Sequence, residues 1–183
     1  MNKAFTLKAT LATAALLILP ITQAQALSKD EYKASKDRIS AEYKADHKGC
    51  STLSGNAKDV CVEQAKGKEK SAKADLEYGY TGKEADRIKA LEAHADANYA
   101  VSKEQCDDLA GNGKDVCVRE AQATHTAALA DAKAIKKIGE ARKDAAEDKR
   151  EADFKLAMEK CGALAGDAKS SCVAAVKADF SKS

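Results

Sequence analysis

The chain has 183 residues, with 31 Lys and Arg against 29 Asp and Glu, a single Pro and no Trp. Two of the basic residues, Lys3 and Lys8, and none of the acids fall within residues 1–26, so the rest of the chain carries 29 of each sign and is formally neutral. Interspersed charges of both signs exclude the electrostatic footprint of a nucleic-acid-binding protein and the one-sided basic face of a membrane-surface helix.

Residues 1–26 read as a secretory leader. Lys3 and Lys8 form the positive region, Ala9 to Leu19 the apolar one, and Pro20 breaks it. Ala24-Gln25-Ala26 supplies the small-x-small cleavage pattern, which predicts a mature chain starting at Leu27. The apolar stretch is too short to anchor in a bilayer. No Cys lies near the cleavage site for lipidation, and no twin-Arg pair is present. The expected destination is periplasmic or secreted, an oxidising space in which disulfides persist.

Beyond the leader, one motif occurs three times: Cys50-STLSGNAKDV-Cys61, Cys106-DDLAGNGKDV-Cys117 and Cys161-GALAGDAKSS-Cys172. The first cysteines lie 56 and 55 residues apart, and no cysteine falls outside the motifs. Such an even, recurring count reads as a disulfide framework on a threefold repeat. Six cysteines allow 15 connectivities. An arrangement repeated three times favours the local one, pairing Cys50 with Cys61, Cys106 with Cys117 and Cys161 with Cys172.

Ala, Lys, Glu and Asp dominate the composition, as in long helices or a coiled coil. Ser28-x-x-Glu31 is a capping-box pattern opening a helix over 29–54. Its apolar seam is Tyr32, Ile39, Tyr43, Cys50 and Leu53. Gly55 suits the left-handed end of that helix and Asn56 the N-cap of a return helix over 57–78. Tyr78-Gly79-Tyr80-Thr81-Gly82 breaks the pattern, and Thr81-x-x-Glu84 is a second capping box. The second hairpin is expected over 82–110 and 113–138, its seam including Ile88, Tyr99, Cys106 and Leu109. Gly111 and Asn112 repeat the turn, as do Gly166 and Asp167 in a third hairpin over 140–165 and 168–181. At Gly139 the spacing allows either a join between two helices or a continuous rod, because a lone Gly costs only about 1 kcal/mol in a helix. The expected fold is all-α: an elongated, coiled-coil-like repeat of three antiparallel hairpins, each stapled by a disulfide, with repeats at 27–80, 81–139 and 140–183.

Sites of chemistry are sparse. No Cys-x-x-Cys redox pair, Gly-rich phosphate loop, Gly-x-Ser-x-Gly or His-Glu-x-x-His occurs. The three histidines do not follow the repeat: His47 precedes Cys50 by three, where the other motifs have Lys103 and Met158, and His94 and His125 stand on Ala-rich helices. No metal, cofactor or catalytic group is therefore expected. Tyr78 and Tyr80 form the one exposed-looking aromatic cluster, read either as a turn covering the end of the hairpins or as a contact patch for a partner.

The two motifs Cys50–Cys61 and Cys106–Cys117, with Val118-Arg-Glu-Ala121 opening the following helix, resemble those of a family of small secreted Ala/Lys-rich helical repeat proteins of Gram-negative bacteria. Its signature is Cys-x-x-Leu-x-Gly-Asn-x-Lys-Asp-Val-Cys, and its members are sometimes labelled cell envelope biogenesis or TolA-like. The third copy departs from it at Asp167, Ser170 and Ser171, as a terminal cap would. A fainter similarity, resting on cysteine spacing in a hairpin, is to lysozyme-inhibitor-like periplasmic domains. The expectation is a non-enzymatic periplasmic or secreted helical repeat protein, acting as an envelope structural, stress or interaction factor. The alternative is a periplasmic binding module that inhibits a lysozyme-type enzyme or holds an unfolded client.

Overall fold

The computed structural model describes residues 27–181; the leader expected at 1–26 lies outside the described residues. Among the described residues there are five α-helices: α1 (Lys29–Gly49), α2 (Gly55–Thr81), α3 (Glu84–Gln105), α4 (Gly111–Gly162) and α5 (Gly166–Ser181). Short 3-10 turns, Cys50–Thr52 and Cys106–Asp108, follow α1 and α3.

The first helix starts as its sequence dictates. The Ser28 hydroxyl accepts from the Glu31 N–H at 3.3 Å, and the Ser28 N–H donates to the Glu31 carboxylate at 2.8 Å. Two otherwise orphaned donors are thereby satisfied. The second expected capping box does not form. α2 runs through Gly79 as far as Thr81 and stops at Gly82, whose φ of 62° is the left-handed conformation that glycine adopts at least cost. Thr81 is therefore the last residue of α2. Its hydroxyl donates to Asp86 at 2.7 Å and accepts from the Lys83 N–H at 3.2 Å, tying the turn from the wrong side to cap α3. Glu84 pairs instead with Arg87 at 2.8 Å.

The hairpin tips also differ from expectation. α1 and α3 end at residues 49 and 105, five residues early, and the cysteines open 3-10 turns. Leu53 and Leu109 are then extended, and Gly55, Gly111 and Gly166, at φ 55–57°, start the next helix rather than end the previous one. Asn56 and Asn112 consequently sit inside the helix, and the N-cap places fall to Ser54 and Ala110, neither with a side-chain bond. The paired cysteine Cα atoms are 5.6 Å apart in every hairpin. In the first two hairpins the chain tightens into a 3-10 turn at its first cysteine, whereas in the third Cys161 stays within α4.

The expected boundary between residues 139 and 140 is absent. α4 is one helix of 52 residues, about 78 Å long. Gly139 lies in its middle, beside the Glu84 side chain. The cost of one Gly is small against fifty helix-forming neighbours, supported by Lys136–Glu140, Lys143–Glu147 and Glu151–Lys155 pairs four residues apart.

Consecutive helices pack on one another: α1 on α2, α2 on α3, α3 on α4, and α5 on the far end of α4. No substantial contact joins α1 to α3 or α2 to α4. The first four helices thus form a single serpentine layer. α3 meets α4 only as far as Gly139, and α5 only from about Arg150, so residues 141–149 are exposed on all sides as a lone helix. What is buried is small. Apart from Ile39 and Ile88 the buried apolar residues are alanines and the first cysteine of each pair, and those three cysteines are the largest fully enclosed side chains. Alanine removes little area from water at about 25 cal/mol per Å².

Candidate functional site

Three features carry the chemistry of this surface: the crosslinked tips, an aromatic end, and a polar cluster across the middle of the layer. Each tip is closed by a disulfide, Cys50–Cys61, Cys106–Cys117 and Cys161–Cys172. Cys50, Cys106 and Cys161 are fully enclosed. Three residues on from each stands a leucine that the apolar spacing places in the seam. The structure corrects this: Leu53, Leu109 and Leu164 are 43%, 47% and 43% exposed. The 3-10 turn ends just before Leu53 and Leu109, and the extended backbone that follows turns both side chains outward. The repeat therefore presents an exposed leucine at every tip.

At the opposite end of the layer, Tyr78 and Tyr80 lie on the last turn of α2 rather than in a loop, and both are exposed. Tyr80 also rests on Tyr32 of α1, ring centroids 4.5 Å apart. The Tyr32 hydroxyl donates to Glu77 at 2.6 Å, which holds its phenol above the ordinary tyrosine range. The pair is an end-clasp between α1 and α2, with Tyr78 left on the outside.

The middle of the layer is held by Asp96 of α3. One carboxylate oxygen accepts from Lys70 of α2 at 2.8 Å, and the other meets Nε2 of His125 on α4 at 2.8 Å. The Lys70 ammonium and then His125 hold this carboxyl below the usual aspartate range. The His125 ring stacks on Tyr99, centroids 4.8 Å apart and 18° from parallel. A cleft of about 330 Å³ opens beside them, lined by Tyr99, Ser102, Glu120, Thr124 and His125. His94 meets Asp75 of α2 at 2.9 Å, and His47 lies against Tyr43 of its own helix, centroids 5.6 Å apart. Sequence spacing did not reveal the partners of Asp96 and His94, because they depend on the register of α2, α3 and α4 on one another. No group of three or more His, Cys, Asp or Glu among the described residues is arranged to hold a metal ion.

The third hairpin repeats one element of this arrangement. Tyr99 and Phe154 each stand seven residues before a first cysteine, and each faces the residue eight after the second: His125 and Phe180. Phe154 and Phe180 meet edge to face at 5.4 Å, and Arg150 donates to the Phe180 carbonyl at the end of α5. In the first hairpin the corresponding position is Glu69, and Tyr43 turns to His47 instead.

No protein-family model, curated protein or solved structure matches the chain. The class the geometry defines is an all-helical, disulfide-stapled repeat protein. No helix among the described residues is long and apolar enough to cross a membrane.

Proposed function

We propose that this is a non-enzymatic, periplasmic or secreted helical repeat protein that acts in the cell envelope as a structural or interaction factor, making its contacts through the hairpin tips. The observation that carries the reading is the combination of three cystines at the tips with an interior built chiefly of alanine. A fold so dependent on disulfides belongs in an oxidising compartment, and a one-layer ladder offers surface rather than enclosed volume. The test is photo-crosslinking in intact cell envelopes, with the crosslinker placed in turn at Leu53, Leu109, Leu164 and, as a control, Ala145. Partner adducts from the tips and none from position 145 support the reading. Adducts spread evenly over all four positions, or none at all, count against it.

A second reading, a binding module that inhibits a secreted enzyme or holds unfolded clients, draws on the same exposed leucines. Suppression of client aggregation that disappears when Leu53, Leu109 and Leu164 are all replaced by Ser would favour it.

A further inference from the structure

The internal repeat shows what covers one face of its own helices. On α2 the side turned to α3 carries Gly67, Ser71 and Ala74; Gly67 and Ser71 are buried, and Gly67 lies against Ala97. A shift of 56 residues carries these three onto Ala123, Ala127 and Ala130 of α4, all exposed. Val60 likewise maps onto Val116, which is 47% exposed where Val60 is half-buried. Ile138, at the other end of the same stretch of α4, is 52% exposed. α4 thus presents, at the open edge of the layer, a face whose counterpart within the chain is an interface.

We propose that a second copy of this chain covers that face, α4 packing antiparallel on the partner's α4 about a two-fold axis between residues 128 and 129. The exposed positions 116, 120, 123, 127, 130, 134, 137 and 141 recur at alternating steps of 4 and 3, the heptad seam of a coiled coil, with Glu120 at its edge where it also borders the cleft beside Tyr99. They are also symmetric about that axis. Self-pairing sets Ala127 against Ala130 of the partner subunit, Ala123 against Ala134 of the partner subunit, and Glu120 against Lys137 of the partner subunit. Both copies supply both charges, so the ion pair forms twice. Neither Glu120 nor Lys137 belongs to an ion pair among the described residues, whereas neighbouring Lys136 has Glu140.

A head-to-tail arrangement, with α1 of one copy on α4 of the next, is disfavoured by the sequence of α1. Where α3 meets α2 with Ala93 and Ala100, the corresponding residues of α1 are Asp37 and Lys44, both exposed, although Ala97 is matched by Ala41. These charges interrupt the small-residue face that α3 uses, so growth is expected to stop at two copies. The product is a continuous eight-helix layer. α5 packs on the side of α4 that continues the α3-facing side, where Arg150, Phe154 and Cys161 lie, and leaves the seam open.

The test is sedimentation equilibrium on the oxidised chain over a concentration series, with three charge variants. The wild type is expected to show a monomer–dimer equilibrium. Glu120→Lys and Lys137→Glu singly place like charges opposite each other and are expected to raise the dissociation constant roughly tenfold or more. The double variant restores opposite charges and is expected to return the constant to near the wild-type value. Ala127→Glu checks the centre of the seam and should abolish the dimer. Circular dichroism establishes that each variant remains helical; these positions are all exposed, so none is expected to unfold. A wild type still monomeric at about 1 mM overturns the proposal. So does open-ended growth beyond dimers, failure of the double variant to recover, or a monomer whose α4 face crosslinks only to a different protein.

Discussion

Gly67 of α2 lies so close to α3 that a methyl group added to it would stand 2.9 Å from the Cβ of Ala97. The two hairpins of the layer meet at this point, and neither partner has a flexible side chain with which to give way. Replacing Gly67 by Ala adds about 1 kcal/mol of helix propensity but overpacks a contact with no slack, at a cost of about 1–3 kcal/mol. The expected net result is a loss of stability, larger for Gly67→Val. Gly139→Ala is the control: its added methyl would meet only the Glu84 Cγ at 3.7 Å, an ordinary contact, and a gain of about 1 kcal/mol is expected. Urea denaturation of the three variants measures both signs.

The disulfides are expected to act as staples. Each closes a 12-residue loop from first to second cysteine, a constraint of about 3 kcal/mol in the chain-entropy model. Cys106→Ala with Cys117→Ala should therefore lose about that much stability while keeping most of its helix content at low temperature. Non-reducing peptide mapping of the parent should return the three local pairs alone. A double variant that is as stable as the parent yet loses envelope function would point to thiol chemistry instead.

Acid should loosen the middle of the layer. The Asp96 carboxyl is held below its ordinary value by Lys70 and His125. A group depressed in this way stabilises the fold at pH values above the ordinary aspartate pKa of about 3.9. That contribution is lost as pH falls through the depressed value. The Asp96 side chain is 44% exposed, so screening reduces the effect to about 0.5–1 kcal/mol. Asp96→Asn should accordingly lower the melting temperature at neutral pH and flatten the fall as the pH drops below about 4. Equal acid slopes for the parent and this variant would assign the sensitivity to other carboxylates, such as Asp86, which is lowered by Lys89 and Thr81.

Processing provides a separate check. Export is expected to remove residues 1–26, leaving Leu27, or Gln25 if the Thr22-x-Ala24 site is used. Intact-mass measurement of the protein from cell fractions decides between these ends. An unprocessed chain retained in the cytoplasm would remove the basis for the compartment and for persistent disulfides.

The exposed stretch 141–149 should uncouple the third hairpin from the layer. Ala145→Pro breaks the lone helix at a cost of about 3 kcal/mol or more locally, with no packing partner to transmit the damage. Hydrogen exchange should show faster opening around residue 145 and unchanged protection in α2 and α3. Lost protection in α2 would show that the long helix supports the layer as a whole.

Helix content and the repeat were legible because the Cys-bracketed motifs recur at nearly fixed intervals and the chain between them is free of helix breakers except around Gly82. The helix ends near the tips were not, since capping preference places Asn56 outside a helix, whereas Gly55 at φ 55° opens α2 and a 3-10 turn at Cys50 has already ended α1. Gly139 was ambiguous for an energetic reason: one weak residue cannot be weighed without knowing what flanks and faces it. The interface of α2 with α3 left almost no trace in the sequence. Beside the Lys70–Asp96 and Asp75–His94 pairs it is lined by Gly67, Ser71, Ala93 and Ala97, small residues that do not stand out from an Ala-rich background. Asp96 was invisible as a bridge for a related reason, because Lys70 and His125 approach it from different hairpins.

Leu109 and Leu164 sit just outside the two ends of α4, and tension applied between them would be borne along that helix. Up to Gly139 it is braced by α3, and from Arg150 onward by α5. The ten residues between have their own backbone hydrogen bonds and one exposed ion pair, Lys143–Glu147, to resist a pull. Drawn from 1.5 Å to about 3.4 Å per residue, that span would lengthen by roughly 20 Å before either crosslinked hairpin had to open. Joined to partners at both tips, the molecule would behave as a mechanical fuse with a defined yield point, extending under load and re-forming its helix when the load is released.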